Sequence, residues 1–434
     1  MSQPLRIGIA GLGSVGAGVV EVLECHQDQL AERAGRSIIV TAVSARDKSR
    51  DRGIDMSGLT WYEDARQLAR DDSLDVVVEL IGGQGGVAKA LVEEAIKTGK
   101  HVVTANKALI AHHGTELACA AEAKGLVLAY EAAVAGGIPI IKVLREGLTA
   151  NRIDRIYGIL NGTCNYILTD MATSGREFQE ILQEAQELGY AEADPSFDVD
   201  GIDTAHKLAI LAAVAFGHEI DFEKVYIEGI RHVSPIDIEF ANELGYGIKL
   251  LGVAGRIPEE QGGGIEQRVH PCMVPKDAPI NHVSGVFNAI EVAGDFVDTT
   301  IYEGKGAGAG PTASAVVADL VDIARGGRVP TFAVSAESLK PASTIAMGRR
   351  KGAYYIRFMV VDKPGVFADI AAALRDNEVS MESVLQRGRA PGEQVPVVMT
   401  VHETGEQAMR RTVGALAALD AVTEPPTLIR IEVL

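Results

Sequence analysis

The feature that most constrains this chain lies at residues 11–16. Gly11-Leu12-Gly13-Ser14-Val15-Gly16 follows the apolar run LRIGIA and opens the amphipathic stretch VGAGVVEVLECHQDQLAERAG. Strand, glycine turn and helix in that order bring bare backbone and the unpaired N–H groups of a helix N-terminus to one point, which suits a pyrophosphate. GxGxxG alone is a weak signal; with this strand before it and this helix after it, the motif predicts a dinucleotide-binding βαβ unit. SIIVTAVSA, LDVVVELIGG, KHVVTANKA and GLVLAYEAAV continue as short apolar strands separated by helical stretches such as VAKALVEEAIKTG. That alternation predicts a parallel sheet covered by helices.

The second strand ordinarily ends in an acid that holds the adenosine ribose. Here it ends Val43-Ser44-Ala45-Arg46, with no acid before Asp47. Arg46 in that place accommodates a 2′-phosphate, so NADP is expected ahead of NAD.

A chain of 434 residues exceeds one ordinary core, so several domains are expected. The net charge of -18, with no basic cluster against it, argues against a nucleic-acid partner. The four cysteines form no CxxC pair, which gives neither a disulfide framework nor a zinc site. MSQPLRIGIAG lacks the basic and apolar regions of a signal peptide, and glycines and charges interrupt every apolar run before membrane-spanning length. A soluble cytoplasmic protein without a membrane partner is the expectation.

Around Gly136 and Gly137 the pattern changes, and GGIPIIKVLREGL predicts a helix with Pro139 near its first turn. EFQEILQEAQELG and GIDTAHKLAILAAVAFG predict helices, GGGIEQRVHPCMVP and HVSGVFNAIEVAGDFVDTTIYEGKGAG later strands of a second sheet, and ASAVVADLVDIARGG a further helix. VPTFAVSAESLKPASTIAMGRRKGA lacks periodicity and reads as a linker. The remainder runs strand, helix, two strands, helix, strand, the order of a ferredoxin-like sandwich. The fold class is therefore α/β: a Rossmann-like domain over 1–132, an α+β substrate and dimerisation domain over 133–330 whose last helix returns to the first, a linker over 331–351, and a ferredoxin-like module over 352–434. That module would expose strand edges and a sheet face, which a second copy would bury.

One segment, GYAEADPSFDVDGIDTAHKLAIL at 189–211, concentrates Glu192, Asp194, Asp198, Asp200 and Asp203 before a lone Lys207 in an apolar run. Asp203 and Lys207 are four apart and share a helix face. Ile202, Leu208, Ile210 and Leu211 would desolvate Lys207 and lower its pKa; Asp203 would raise it. The sequence leaves the sign of that contest open, and with it the choice between a surface ion pair and a proton-transfer site.

IGIAGLGSVG, VVTANKALI, YEAAVAGGIPII, ILNGTCNYIL, GYAEADPSFDVDGIDTAHKLAIL and GKGAGAGPTASAVVAD, in this order and spacing, resemble homoserine dehydrogenases over residues 5–325. The last module, with Asp362-Lys363-Pro364-Gly365-Val366 between its first strand and first helix, resembles an ACT domain. The resemblance implies NAD(P)-dependent interconversion of L-homoserine and L-aspartate 4-semialdehyde. It makes Lys207 the proton-exchanging residue with Asp203 beside it, Glu192 and Asp198 substrate-binding residues, and Lys107 a residue of both cofactor and substrate. Gly189, Gly306 and Gly308 would lie near cofactor and substrate. Glu131 with the main-chain oxygens of Val134, Gly136 and Ile138 would hold a monovalent cation, usually sodium. A homodimer or homotetramer and an allosteric L-threonine are further implications. Cys164 stands where the family often has threonine; no histidine motif accompanies it, so it reads as a small buried residue. An NADP-binding amino-acid sensor without turnover, or another semialdehyde reductase acting through Cys164, are the alternatives.

Overall fold

Runs rich in valine and isoleucine pair side by side through the first 130 residues. In the computed structural model, which describes residues 3–387 and 392–434, β1 (Leu5–Ala10), β2 (Ile38–Ser44), β3 (Thr60–Tyr62), β4 (Val76–Glu79), β5 (His101–Thr104) and β6 (Leu128–Ala129) form a parallel sheet of order β3-β2-β1-β4-β5-β6. Helices α1 (Ser14–Cys25), α2 (Gln27–Ala34), α3 (Arg66–Arg70), α4 (Gly86–Lys97) and α5 (Lys107–Glu122) make the connections. β4 is buried along its whole length, as a strand covered on both faces must be. The order reverses between β1 and β4, and ligands of such sheets sit beyond the strand ends at that switch point. The glycine turn occupies it. A Cβ on Gly11 (φ +97°) would lie 2.4 Å from the Leu80 carbonyl oxygen, and one on Gly16 would lie 2.1 Å from that of Gly11. Gly13 faces open space. Two glycines build the turn and the third leaves it approachable.

The helix predicted from GGIPIIKVLREGL is shorter and looser than the sequence suggests. α6 (Ile140–Lys142) passes directly into a π-helical turn, Val143–Gly147, closed by Leu148 N–H donating to Val143. Then follow β7 (Ile153–Ile159), α7 (Gly162–Ser174), α8 (Phe178–Glu187), α9 (Ser196–Val199), α10 (Ile202–Phe216), β8 (Tyr226–Ile227), α11 (Pro235–Glu243), β9 (Tyr246–Ile257), β10 (Gly264–Pro275), β11 (Phe287–Gly294) and β12 (Asp298–Lys305). The second sheet runs β12-β11-β7-β9-β10. Nearly all of α10 is buried, including its polar residues Asp203, Thr204, His206 and Lys207, so it is a core helix and not an amphipathic one. α12 (Ala309–Ala324) crosses back to the first domain, where Val316 and Leu320 pack with Val19, Val20 and Leu23 of α1.

The last module comprises β13 (Lys351–Val361), α13 (Val366–Asp376), β14 (Met381–Gln386), β15 (Gln394–Gly405), α14 (Glu406–Ala417) and β16 (Thr427–Ile431), with strand order β16-β13-β15-β14. One edge of this module is covered within the chain itself, while β14 remains the terminal strand of the sheet. β16 pairs in parallel with β10 through Cys272↔Arg430 and Met273↔Ile431, so the two sheets are one. α11 lies on the outer face. Its buried Asp237, fixed by a capping box with Ser234, accepts from Arg357 Nε at 2.6 Å and Tyr355 Oη at 3.1 Å. Buried Arg430 donates to Glu228 at 2.8 Å and to Glu406 at 2.7 Å. Glu228 precedes Gly229, where a Cβ would lie 2.5 Å from the Asp200 Cα, so the module props the segment that leads into α10. The 331–351 stretch is packed in place, with Phe332 fully buried and Thr344 bridged to Ile265. Among the described residues no helix is long and apolar enough to cross a membrane.

Candidate active site

Asp203 lies in the first turn of α10 and Lys207 one turn on, both buried. Lys207 Nζ donates to Asp203 Oδ2 at 2.8 Å and to the Leu160 carbonyl at 2.6 Å. Lys107, the first residue of α5, reaches in from the other domain and sets its Nζ 2.5 Å from Asp203 Oδ1. Asn161 caps α7 through the Cys164 N–H at 2.8 Å and turns its Nδ2 to Asp198 (2.7 Å) and Asp203 (2.9 Å). Two lysines and two carboxylates thus converge where the domains meet.

Lys107 owes its place to the ends of β4 and β5. The buried carboxylate of Glu79 accepts from the Ile81 and Gly82 N–H groups and from Thr104 Oγ1 at 2.6 Å. Asn106 donates to the Gly83 carbonyl and caps α5 through Leu109 N–H. Asn161, Glu79 and Thr104 were missed as site residues; for Asn161 the available signal was an N-cap residue type at the end of an apolar run.

The contest at Lys207 is decided by burial. Burial lowers its ammonium pKa, the Asp203 charge only partly offsets that, and the Lys107 charge adds to the lowering. At Lys107 burial acts in the same direction, but Asp203, then Asp198 and Glu192, outweigh it and the net shift is upward. Burial alone would raise the Asp203 carboxyl; the two ammonium groups hold it far below the usual carboxylate range. Asp198 is raised by burial and by the neighbouring Asp203 charge. The cluster therefore pairs one lysine biased toward the neutral amine with another held as the cation, a division suited to moving a proton beside a fixed charge.

Of the five acids in the segment only Asp203 and Asp198 enter the cluster. Glu192 is exposed and acts on Lys107 through its charge. Asp194 accepts from Ser196 N–H, and Asp200 pairs with Arg231 at 2.5 Å. Gly189 (φ +75°) is an exposed turn after α8, and Gly308 (φ +114°) caps α12. Gly306 meets Gly136 backbone to backbone, since a Cβ on Gly136 would lie 2.6 Å from the Gly306 oxygen.

At the nucleotide end, Leu12 is buried, Ser14 and Val15 begin α1, and Arg46 is exposed beyond β2. The sequence analysis missed Arg52. Its Nε donates to the Leu12 carbonyl at 3.0 Å and its guanidinium lies 5.7 Å from the Trp61 ring centre, so it braces the glycine turn.

Glu131 accepts from the Ile141 and Lys142 N–H groups and is pushed up to about 7 by burial and by Asp319. The Ile138 carbonyl accepts from Ile140 N–H at 2.8 Å. A buried carboxylate whose charge is disfavoured is an oxygen donor of the kind a hard cation takes. Cys164 is fully buried; burial, then the Asp198 and Asp203 charges, push its thiol well up, and it donates to the Asp198 carbonyl at 3.3 Å. It is no nucleophile.

Residues 11–131 match the family described as Homoserine dehydrogenase, NAD binding domain, residues 139–321 that described as Homoserine dehydrogenase, and residues 354–421 the ACT domain. A homoserine dehydrogenase from Pseudomonas aeruginosa is 47% identical over 439 residues, spanning 100% of both chains. This chain belongs to the homoserine dehydrogenase family. Its function is accordingly that of an NAD(P)-dependent oxidoreductase acting on a CH–OH group, with a C-terminal ACT domain. The crystal structure of a homoserine dehydrogenase from Thiobacillus denitrificans superposes with a TM-score of 0.93 at 46% identity, covering 99% of this chain and 98% of that one. A hyperthermophilic archaeal homoserine dehydrogenase in complex with NADPH superposes with a TM-score of 0.64 at 26% identity, covering 76% of this chain and all of that one.

Proposed function

We propose that Lys207 exchanges the proton of the reacting oxygen in the interconversion of L-homoserine and L-aspartate 4-semialdehyde. The observation that carries this is a buried lysine with a lowered pKa, held at 2.8 Å by a carboxylate that a second lysine also neutralises. A sensor without turnover would need no such group. In oxidation the neutral Lys207 amine accepts the hydroxyl proton; in reduction the ammonium returns it to the carbonyl oxygen. Lys107, kept charged, holds the developing negative charge on that oxygen. Glu192 and Asp198 neutralise the substrate ammonium at the open side of the cluster. The nicotinamide cofactor, bound over Gly11–Gly16, supplies the hydride chemistry. Arg46 supports NADP as that cofactor.

The same reading gives Glu131, Val134, Gly136 and Ile138 to a sodium ion, divides the chain at 132, 330 and 351, and makes the protein a cytoplasmic homodimer or homotetramer. It also makes L-threonine the effector of the ACT domain, supported by the match over 354–421.

Lys207→Ala tests the central role. Turnover should fall by about two to four orders of magnitude, the usual range for acid–base catalysis, with NADP affinity little changed. Near-normal kcat at neutral pH would remove Lys207 from the mechanism.

A further inference from the structure

Two helices from different domains carry the charged cluster, and a second polar contact joins them close behind it. α5 opens with Lys107 and also carries His112; α10 carries Asp203, His206 and Lys207. Asp203 and His206, three apart, share one side of α10. Lys107 meets Asp203, and His112 meets His206 with their Nε2 atoms 3.2 Å apart. A single ion pair leaves two helices free to pivot about it. A second directional bond nearby fixes their mutual rotation, which is what a reacting cluster split between two domains requires.

The histidine pair is held on several sides. His206 is 4% exposed. Phe222 stacks on its ring at 4.3 Å and meets the ring of His112 edge-on at 4.9 Å. Phe197, from the acidic segment, lies 5.5 Å from His206 and equally 5.5 Å from Lys107 Nζ. A bond between two imidazole nitrogens needs an unprotonated acceptor. Burial, then His112, lowers His206 to about 4, against the opposing charge of Asp203, and burial lowers His112 as well. Glu223, 4.0 Å from His112 Nδ1, favours the proton there, so His112 Nε2 accepts and His206 Nε2–H donates. His206 Nδ1 is then a bare nitrogen, buried without a partner among the described residues. Two apolar side chains would pack here without that cost, so packing alone does not account for the pair.

We propose that His206 and His112 are positioning residues, a cross-domain hydrogen bond that keeps Lys107 on Asp203 and thereby sets the charge that Lys207 feels. The proposal rests on the reading that Lys207 exchanges the proton. Lys207 faces Asp203 and Asp198, whose charges raise its pKa, and Lys107, whose charge lowers it. Loosening Lys107 from the cluster therefore moves Lys207 upward.

The test is the pH dependence of kcat/KM for homoserine, with NADP affinity measured alongside. Lys107→Met sets the scale: its acid limb should move up by about one to two pH units, the effect of removing a like charge roughly 6–8 Å away at an effective dielectric of about 20. His206→Phe keeps a ring on Phe222 and loses the donor; His112→Phe loses the acceptor. Each should move the limb up by about half a unit to one unit and lower kcat about threefold to tenfold, the worth of one neutral hydrogen bond, with NADP affinity unchanged. The double variant should go no further than either alone, and His206→Gln, which retains an N–H donor, should keep the wild-type limb. A limb that moves in Lys107→Met but stays in both phenylalanine variants overturns the pair and leaves Lys207 standing. A limb unmoved in Lys107→Met overturns the reading of Lys207 as well. A limb displaced in His206→Gln as far as in His206→Phe assigns the effect to ring stacking and overturns the hydrogen bond. Should His206→Phe fail to fold, His112→Phe, at the less buried partner, decides between the same outcomes.

Discussion

Replacing Asp203 by asparagine removes one negative charge from between two ammonium groups and leaves the side-chain shape nearly unchanged. Asp203 Oδ2 lies 2.8 Å from Lys207 Nζ, and Oδ1 lies 2.5 Å from Lys107 Nζ. Two unit charges about 4 Å apart attract by roughly 4 kcal/mol at an effective dielectric of about 20, equivalent to about three pKa units. Lys207 would keep its burial and the repulsion of Lys107 while losing the group that opposes both. Its pKa, already lowered, should therefore fall further by about two to three units, within the range known for buried lysines. Oxidation needs the neutral amine and is lost as pH falls through that pKa, so its acid limb should move down by the same interval. Reduction needs the ammonium and is lost as pH rises through it, so its alkaline limb should move down too. At any one pH both directions change by a common factor, because the overall equilibrium belongs to the reactants. The limb position is therefore the diagnostic. It is read from kcat/KM for homoserine and for the semialdehyde across the accessible pH range, following nicotinamide absorbance. An acid limb that stays put, or moves up, would refute the coupling of Lys207 to Asp203.

Glu192→Gln should raise KM for homoserine more than that for NADP, because only the substrate carries an ammonium; equal losses would assign Glu192 to structure. Arg46→Asp should shift the NADP/NAD ratio of kcat/KM toward NAD by removing a charge-assisted contact to the 2′-phosphate, and an unchanged ratio would leave Arg46 facing solvent. Asp237→Ala should cost about 3–5 kcal/mol, the penalty for leaving a buried charge such as Arg357 without its partner. Denaturant unfolding of the full chain would show this as a lower midpoint, and an unmoved midpoint would mean that α11 does not anchor the ACT sheet.

The dinucleotide domain was legible because its constraints are local. GLGSVG between a strand and a helix needs Gly16 for a contact inside the motif itself, since a Cβ there would lie 2.1 Å from the Gly11 oxygen. The pairing of Asp203 with Lys207 was legible for the same reason, being an i,i+4 relation. The arrival of Lys107 on the far oxygen of Asp203 was not, because it depends on how two domains close on each other. Its TANKALI setting gave a lysine at a strand end and nothing about its partner. Neither was the sign of the Lys207 shift, which turns on α10 being buried all round when its apolar run alone admits a one-sided helix. Arg52 escaped because its bond to the Leu12 carbonyl spans a loop without periodicity.

The bond from Arg430 to Glu228 bears on how this protein comes to life on the ribosome. Domains generally fold as units in the order of synthesis. The segment that carries Asp203 emerges long before Arg430, and until then the partly buried Glu228 carboxylate beneath it lacks the Arg430 guanidinium. A nascent chain ending before β16 would hold its cofactor fold and its lysines yet lack the prop under Asp200. The ACT domain is thus the finishing clamp of biogenesis, and grafting a foreign one in its place would require that newcomer to bring an arginine to the same register on β10.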